Sequence, residues 1–109
     1  MPNWTEVCDI NDIHPNTGVC AQIDQKQIAI FRVNNTDEVY AIGNYDPIGK
    51  ANVLSRGIMA QLGEHLTVAS PLYKQHFDLK TGTCLEEDEK VPAYNTKVEA
   101  SKVFVHITH

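Results

Sequence analysis

The sequence predicts an all-β fold, an antiparallel sandwich or small barrel with little or no helix. Short β-rich runs separated by turn residues fill most of the chain, which is typical of that fold class. Near the C-terminus, residues 94–100 and 103–107 alternate with a period of two, as half-buried paired strands do. The best helix candidate is residues 10–14, at most one turn that Pro15 would end.

The first half of the chain has the most regular strand pattern. Residues 24–26 are expected to form a hairpin turn. Residues 34–37, Asn-Asn-Thr-Asp, are expected to form the next turn, because Asn and Asp tolerate left-handed backbone and bond to their own backbone. Strands are expected at residues 4–8, 18–23, 27–33 and 38–43.

The second half alternates loops with shorter strands. Residues 44–52 contain Pro47 and residues 70–75 contain Pro71, and proline cannot donate a hydrogen bond to a sheet, so both segments are expected to be loops. Residues 80–82 are expected to form a tight turn. The remaining strands are expected within residues 53–62 and at 66–69, 76–79, 83–85, 94–100 and 103–107.

Length and composition indicate one globular domain over residues 1–109. The chain is 42% hydrophobic and carries a net charge of -5, and no lysine or arginine cluster offers itself to a phosphate backbone, which argues against a nucleic-acid partner. No apolar stretch approaches the roughly 20 residues needed to cross a membrane. No basic segment followed by an apolar one opens the chain, so no signal peptide is expected, and the expected location is the cytoplasm.

Motifs for catalysis, metal binding and nucleotide binding are missing. The sequence lacks G-x-G-x-x-G, the Walker loop, H-E-x-x-H and G-x-S-x-G. Its five histidines lack metal-ligand spacing, and its three cysteines contain no C-x-x-C pair. The acidic run of residues 86–89 is expected to be a solvated loop. The sequence therefore predicts no catalytic residue, no metal ligand and no cofactor in this chain.

Two segments of the sequence indicate a particular protein family more specifically than any of the motifs above. Residues 41–48 with 53–57, and residues 68–82, resemble the two cluster-binding loops of a Rieske iron–sulfur domain. In that family one loop carries C-x-H and the other C-P-x-H, and the resemblance implies an antiparallel Rieske-like sandwich with both loops at one tip. The scaffold residues that match are Leu54, Ser55, Gly57, Pro71, Phe77, Asp78, Leu79, Thr81 and Gly82.

The cluster ligands of that family are replaced. A Rieske cluster needs two cysteine thiolates and two histidine imidazoles, and His76 lies too far along the chain to substitute. An alkyl side chain cannot ligate, and hydroxyl or carboxylate oxygens do not suit this iron. A [2Fe–2S] cluster is therefore not expected. The four ligand positions hold Asp46, Ile48, Ser70 and Tyr73.

A Rieske-like scaffold without the four cluster ligands resembles the small subunit of cytoplasmic NAD(P)H-dependent nitrite reductase. The matching runs are residues 44–47, 53–57 and 70–72, with 4–10, 18–21 and 28–32 also similar. The resemblance implies a non-catalytic subunit of an assimilatory enzyme that reduces nitrite to ammonia. It also implies a large partner subunit that carries FAD, a [4Fe–4S] cluster and sirohaem.

Two other functions remain open from the sequence. The chain is alternatively a freestanding interaction module on a degenerate Rieske scaffold, or a Rieske-type ferredoxin, which the loss of all four ligands argues against. Apolar and aromatic residues at the tip, with two cations at its rim, suit a protein interface. The candidate interface residues are Asp46, Pro47, Ile48, Arg56, Pro71, Leu72, Tyr73 and Lys74.

Overall fold

The structure of the chain is a computed structural model that describes residues 4–72 and 74–106. Within these ranges the regular structure is almost entirely extended, with only two 3-10 turns, Ile10–Asp12 and Leu54–Arg56. The strands are β1 (Trp4–Asp9), β2 (Gly18–Ile23), β3 (Lys26–Arg32), β4 (Val39–Gly43), β5 (Tyr45–Asp46), β6 (Ala51–Asn52), β7 (Ile58–Leu62), β8 (His65–Ala69), β9 (His76–Asp78), β10 (Ala93–Glu99) and β11 (Lys102–His106).

The described strands form three antiparallel sheets. The largest has six strands in the order β1-β11-β10-β4-β3-β2. A three-stranded sheet follows the order β7-β8-β9, and β5 pairs with β6 in a small ribbon. The ribbon and the β8–β9 connection carry the two loops singled out from the sequence.

Strands β3 and β4 form a shared wall between two apolar cores. In β3, Ile28 and Ile30 enter one core, while Ala29 and Phe31 enter the other. Alternate side chains of a strand point to opposite faces. A strand with a core on each face therefore needs an unbroken run of apolar residues. The second core includes Leu54 and Phe77, and Ile48 of the first loop packs against it.

The predicted strands of the first half and of the C-terminal hairpin are present, and their described bounds differ from the prediction by at most one residue. The 18–23 strand has the predicted bounds, and the helix candidate is a single 3-10 turn. Residue 107 of the last predicted strand lies outside the described residues. The C-terminal turn falls on Ala100 and Ser101, both with positive φ, one residue earlier than predicted.

Two predictions in the second half were wrong. Residues 44–52 are not purely a loop, because they contain β5 and β6. The 83–85 strand is absent, and Thr83 and Cys84 make only isolated bridges. The chain reverses direction between Cys84 and Glu89, because the Cys84 amide donates to the Glu89 carbonyl at 2.9 Å.

No helix in the described part of the chain is long and apolar enough to cross a membrane.

Candidate functional site

The first loop of the site is a tight turn built by Asp46. The Asp46 carboxylate accepts the backbone N–H groups of Ile48 at 2.9 Å and Gly49 at 3.0 Å. Its carbonyl accepts the amide of Lys50 at 2.7 Å. A short acidic side chain that bonds to the backbone two and three residues ahead is a common way to close such a turn. Asp46 therefore fixes the shape of this loop itself.

Ser70 joins the second loop to the first. Its hydroxyl donates to the Asp46 carboxylate at 2.5 Å and accepts the amide of Leu72 at 3.3 Å. Asp46 is 0% exposed and Ser70 is 1% exposed. A hydroxyl bonded to a carboxylate makes a short, strong hydrogen bond, and burial strengthens it further. We call the two loops, residues 44–52 and the described residues of 70–75, the tip.

Asn44 anchors the tip to the rest of the fold. Its side-chain oxygen accepts the amide of Ser55 at 2.7 Å, and its Nδ2 donates to Gln27 Oε1 at 3.1 Å. Its backbone carbonyl accepts the amide of Leu54 at 3.1 Å. This buried asparagine thus holds β3, the tip and the second 3-10 turn together, and the sequence pattern gave it no such role.

Apolar contacts complete the tip. Ile48 is half-buried and packs against the second core. Leu72 is 46% exposed and lies over Gly49, since a Cβ added to this glycine would be 2.5 Å from Leu72 Cδ1. A side chain at position 49 would therefore require the Leu72 or Asp46 side chain to shift.

The residues present do not fit a [2Fe–2S] cluster. The Asp46 carboxylate is already bonded to two amides and a hydroxyl, the Ser70 hydroxyl is bonded to Asp46, and Ile48 has no donor atom. Tyr73, the fourth ligand position, lies outside the described residues. Among residues 4–72 and 74–106, no three His, Cys, Asp or Glu side chains are placed to hold a metal ion.

The histidine near the tip is engaged with the acidic run. His76 Nδ1 lies 2.6 Å from Glu86 Oε2, and the His76 amide donates to Glu86 Oε1 at 2.7 Å. Burial acts to raise the pKa of Glu86, but these hydrogen bonds outweigh it and the pKa is lowered. Glu86 is exposed, as predicted for residues 86–89, yet it ties that loop to β9.

A second histidine–carboxylate pair stabilises the turn after β9. His65 Nδ1 lies 2.7 Å from Asp78 Oδ2, and Asp78 Oδ1 accepts the amides of Lys80 and Thr81. Burial acts to raise the pKa of Asp78, and these hydrogen bonds together lower it. Asp78 and Thr81 belong to the resemblance noted in the sequence, and this turn gives their role.

The structure divides the candidate interface residues into two groups. Asp46 is buried and so presents no contact surface, and Pro47 and Ile48 are half-buried. Sequence reasoning missed Ile58, which is 76% exposed on β7. The exposed candidates are Arg56, Pro71, Leu72 and Lys74.

The fold and the paired loops define a class of protein. The family of Rieske-like [2Fe-2S] domains matches residues 3–106, so the chain is a Rieske-like domain, and the fold class predicted from the sequence is confirmed.

Its relatives identify the branch of that class. The nitrite reductase (NADH) small subunit of Escherichia coli (strain K12) is 46% identical over 100 residues, which are 91% of this chain and 93% of that one. The solution NMR structure of the nitrite reductase [NAD(P)H] small subunit from Erwinia carotovora shares 52% identity with a TM-score of 0.84, covering 97% of this chain and 82% of that one. The chain belongs to the family of nitrite reductase small subunits, which confirms the resemblance inferred from the sequence.

One relative is much longer. The nitrite reductase [NAD(P)H] large subunit of Klebsiella oxytoca is 42% identical over 103 residues, which are 94% of this chain but 11% of that protein. A segment similar to nearly all of this chain therefore occurs inside a large-subunit polypeptide.

Proposed function

We propose that this chain is the small, non-catalytic subunit of a cytoplasmic, assimilatory NAD(P)H-dependent nitrite reductase, and that it works without a cluster of its own. The observation that carries the proposal is the buried hydrogen bond between Asp46 and Ser70. It joins the two loops at positions where the Rieske family has cluster ligands. The chain then contributes a shaped surface rather than a redox centre.

The Klebsiella oxytoca relative supports the choice of partner. A domain similar to this chain and a nitrite reductase large subunit share one polypeptide there, and such a tether keeps two parts at high effective concentration. The proposed partner of this chain is accordingly a nitrite reductase large subunit. The large subunit carries the FAD, the [4Fe–4S] cluster and the sirohaem, and it reduces nitrite to ammonia.

Co-purification tests the partnership. An affinity-tagged copy of this chain, expressed with the large subunit of the same enzyme, is expected to retain it through a gel-filtration step. The isolated small chain is expected to show no NAD(P)H-dependent loss of nitrite. Separate elution of the two chains at micromolar concentration contradicts the partnership, and stable retention of a different protein supports the freestanding interaction module.

Iron analysis tests the cluster proposal. The chain, purified without oxygen and then incubated with iron and sulfide, is expected to stay colourless, because the four ligand positions hold no thiolate or imidazole. A Rieske ferredoxin treated in parallel is the positive control. About two irons per chain together with visible absorbance would refute the proposal and revive the ferredoxin alternative.

A further inference from the structure

A groove lies beside the tip, between β7 and the second loop. Its volume is about 460 Å³, and its surface is mostly apolar. We call it the β7 groove. The lining residues that matter here are Arg56, Ile58, Ala60, Ala69, Pro71 and Lys74.

Strand β7 presents an apolar face at the groove. It is the outer strand of the β7-β8-β9 sheet, and its five residues, IMAQL, include no charged residue and no proline. Ile58, at 76% exposure, begins this strand. Ile58 faces away from the second core, because its neighbour Met59 packs on that core and alternate side chains of a strand point to opposite faces. Ile58, Ala69 and His76 are paired across the three strands and line the groove together. An exposed apolar surface of this kind indicates an interaction site.

The charges at the groove indicate what the covering element carries. Within residues 4–72 and 74–106, neither Arg56 nor Lys74 has a carboxylate within ion-pair distance. Two unpaired cations beside an apolar groove suit a partner that presents carboxylates around an apolar side chain.

We propose that the β7 groove is the docking site for the large subunit, and that its occupant is a segment of that subunit with one large apolar side chain between acidic residues. The apolar side chain packs on Ile58, and the acidic residues face Arg56 and Lys74. This inference rests on the proposed function. It places the centre of the interface on β7 and the second loop rather than on the buried Asp46.

Two variants test the groove. Ile58→Asp puts a charge where the apolar side chain packs, and burial of an unpaired charge is costly. Lys74→Gly removes a cation at a position with φ of 63°, where glycine is favoured over lysine, so this variant is expected to fold at least as stably as the parent. Both are expected to weaken binding to the purified large subunit at least about tenfold. Lys74→Gly is also expected to reduce the dependence of affinity on salt concentration.

Matched controls lie elsewhere on the same chain. Lys80→Ala removes another exposed lysine, in the turn after β9, and Leu62→Asp places the same new charge at the far end of β7, where leucine is 38% exposed. Both controls are expected to have dissociation constants within about twofold of the parent's, which is close to the error of an affinity measurement. Circular dichroism verifies that all four variants are folded before affinity is measured.

The outcomes are distinct. If the parent binds the large subunit and the folded Ile58→Asp and Lys74→Gly variants bind it equally well, the β7 groove is not the docking site. The proposed function is then unaffected. No binding by the parent overturns the proposed function and this inference with it. Gel filtration of the isolated chain is expected to give a monomer, and a dimer that Ile58→Asp dissociates would instead assign the groove to a second copy of this chain.

Discussion

Replacing Asp46 by alanine is expected to lower the free energy of unfolding by about 3–5 kcal/mol, since hydrogen bonds to a charged group contribute about 1.5–3 kcal/mol each and their loss is not fully additive. The substitution leaves the amides of Ile48 and Gly49 and the Ser70 hydroxyl without their acceptor. Buried donors without partners are costly because they have also lost water. Urea unfolding followed by circular dichroism measures the change.

Three companion variants identify the source of the loss. Asp46→Asn keeps the shape and one acceptor oxygen, so a smaller loss is expected. Ser70→Ala removes only the contact between the loops, and a double-mutant cycle with Asp46→Ala gives the coupling between the two side chains. Asp37→Ala, on an exposed loop, is the control and is expected to change stability by less than about 0.5 kcal/mol. If Asp46→Ala is as stable as this control, the tip does not depend on the carboxylate.

Replacing Gly82 by alanine is expected to cost about 3 kcal/mol or more, from backbone strain and a steric clash together. Gly82 has a φ of +81°, and an added Cβ would lie 2.0 Å from the Val91 carbonyl oxygen. The Val91 amide also donates to the Gly82 carbonyl at 2.8 Å, so neither segment moves away without breaking a hydrogen bond. Thermal and urea unfolding report the loss.

Gly63 provides a matched control for that substitution. Its φ is +60°, and an added Cβ would meet nothing within 4 Å. Gly63→Ala is therefore expected to cost only the backbone strain, about 1–2 kcal/mol. The difference between the two variants isolates the clash with Val91. Equal losses would show that the contact at Gly82 relaxes freely and that only its φ matters.

Much of the fold could be predicted from the sequence because local patterns determine it. The period of two and the turn residues locate β2, the hairpin after it and the C-terminal pair. The ribbon of β5 and β6 escaped prediction because each strand has two residues, too short for any periodicity. It exists because Asp46 closes the turn between the strands, which is a side-chain contact rather than a sequence pattern.

The candidate site was predictable in position but not in its contacts. The resemblance to two loops located Asp46 and Ser70, yet the residues are 24 apart in sequence and nothing local indicates that they bond. Ile58 was missed because the apolar residues of β7 do not alternate with polar ones, so the sequence does not show which face points outward. The pairing places Met59 with Val68 and Phe77 on the second core, and Ile58 therefore faces the opposite side and is exposed.

The hydrogen bond between Asp46 and Ser70 also affects how the subunit matures. Its atoms all belong to the polypeptide, so closure of the tip by this bond requires no component beyond the chain itself. A tip closed by iron and sulfide would wait for a dedicated assembly system and would open when air or peroxide destroyed the cluster. Closure by a carboxylate and a hydroxyl needs neither iron supply nor protection from oxidants. If the chain holds no cluster, as we propose, the surface beside the tip is expected to keep its shape when iron is scarce or oxidants are present.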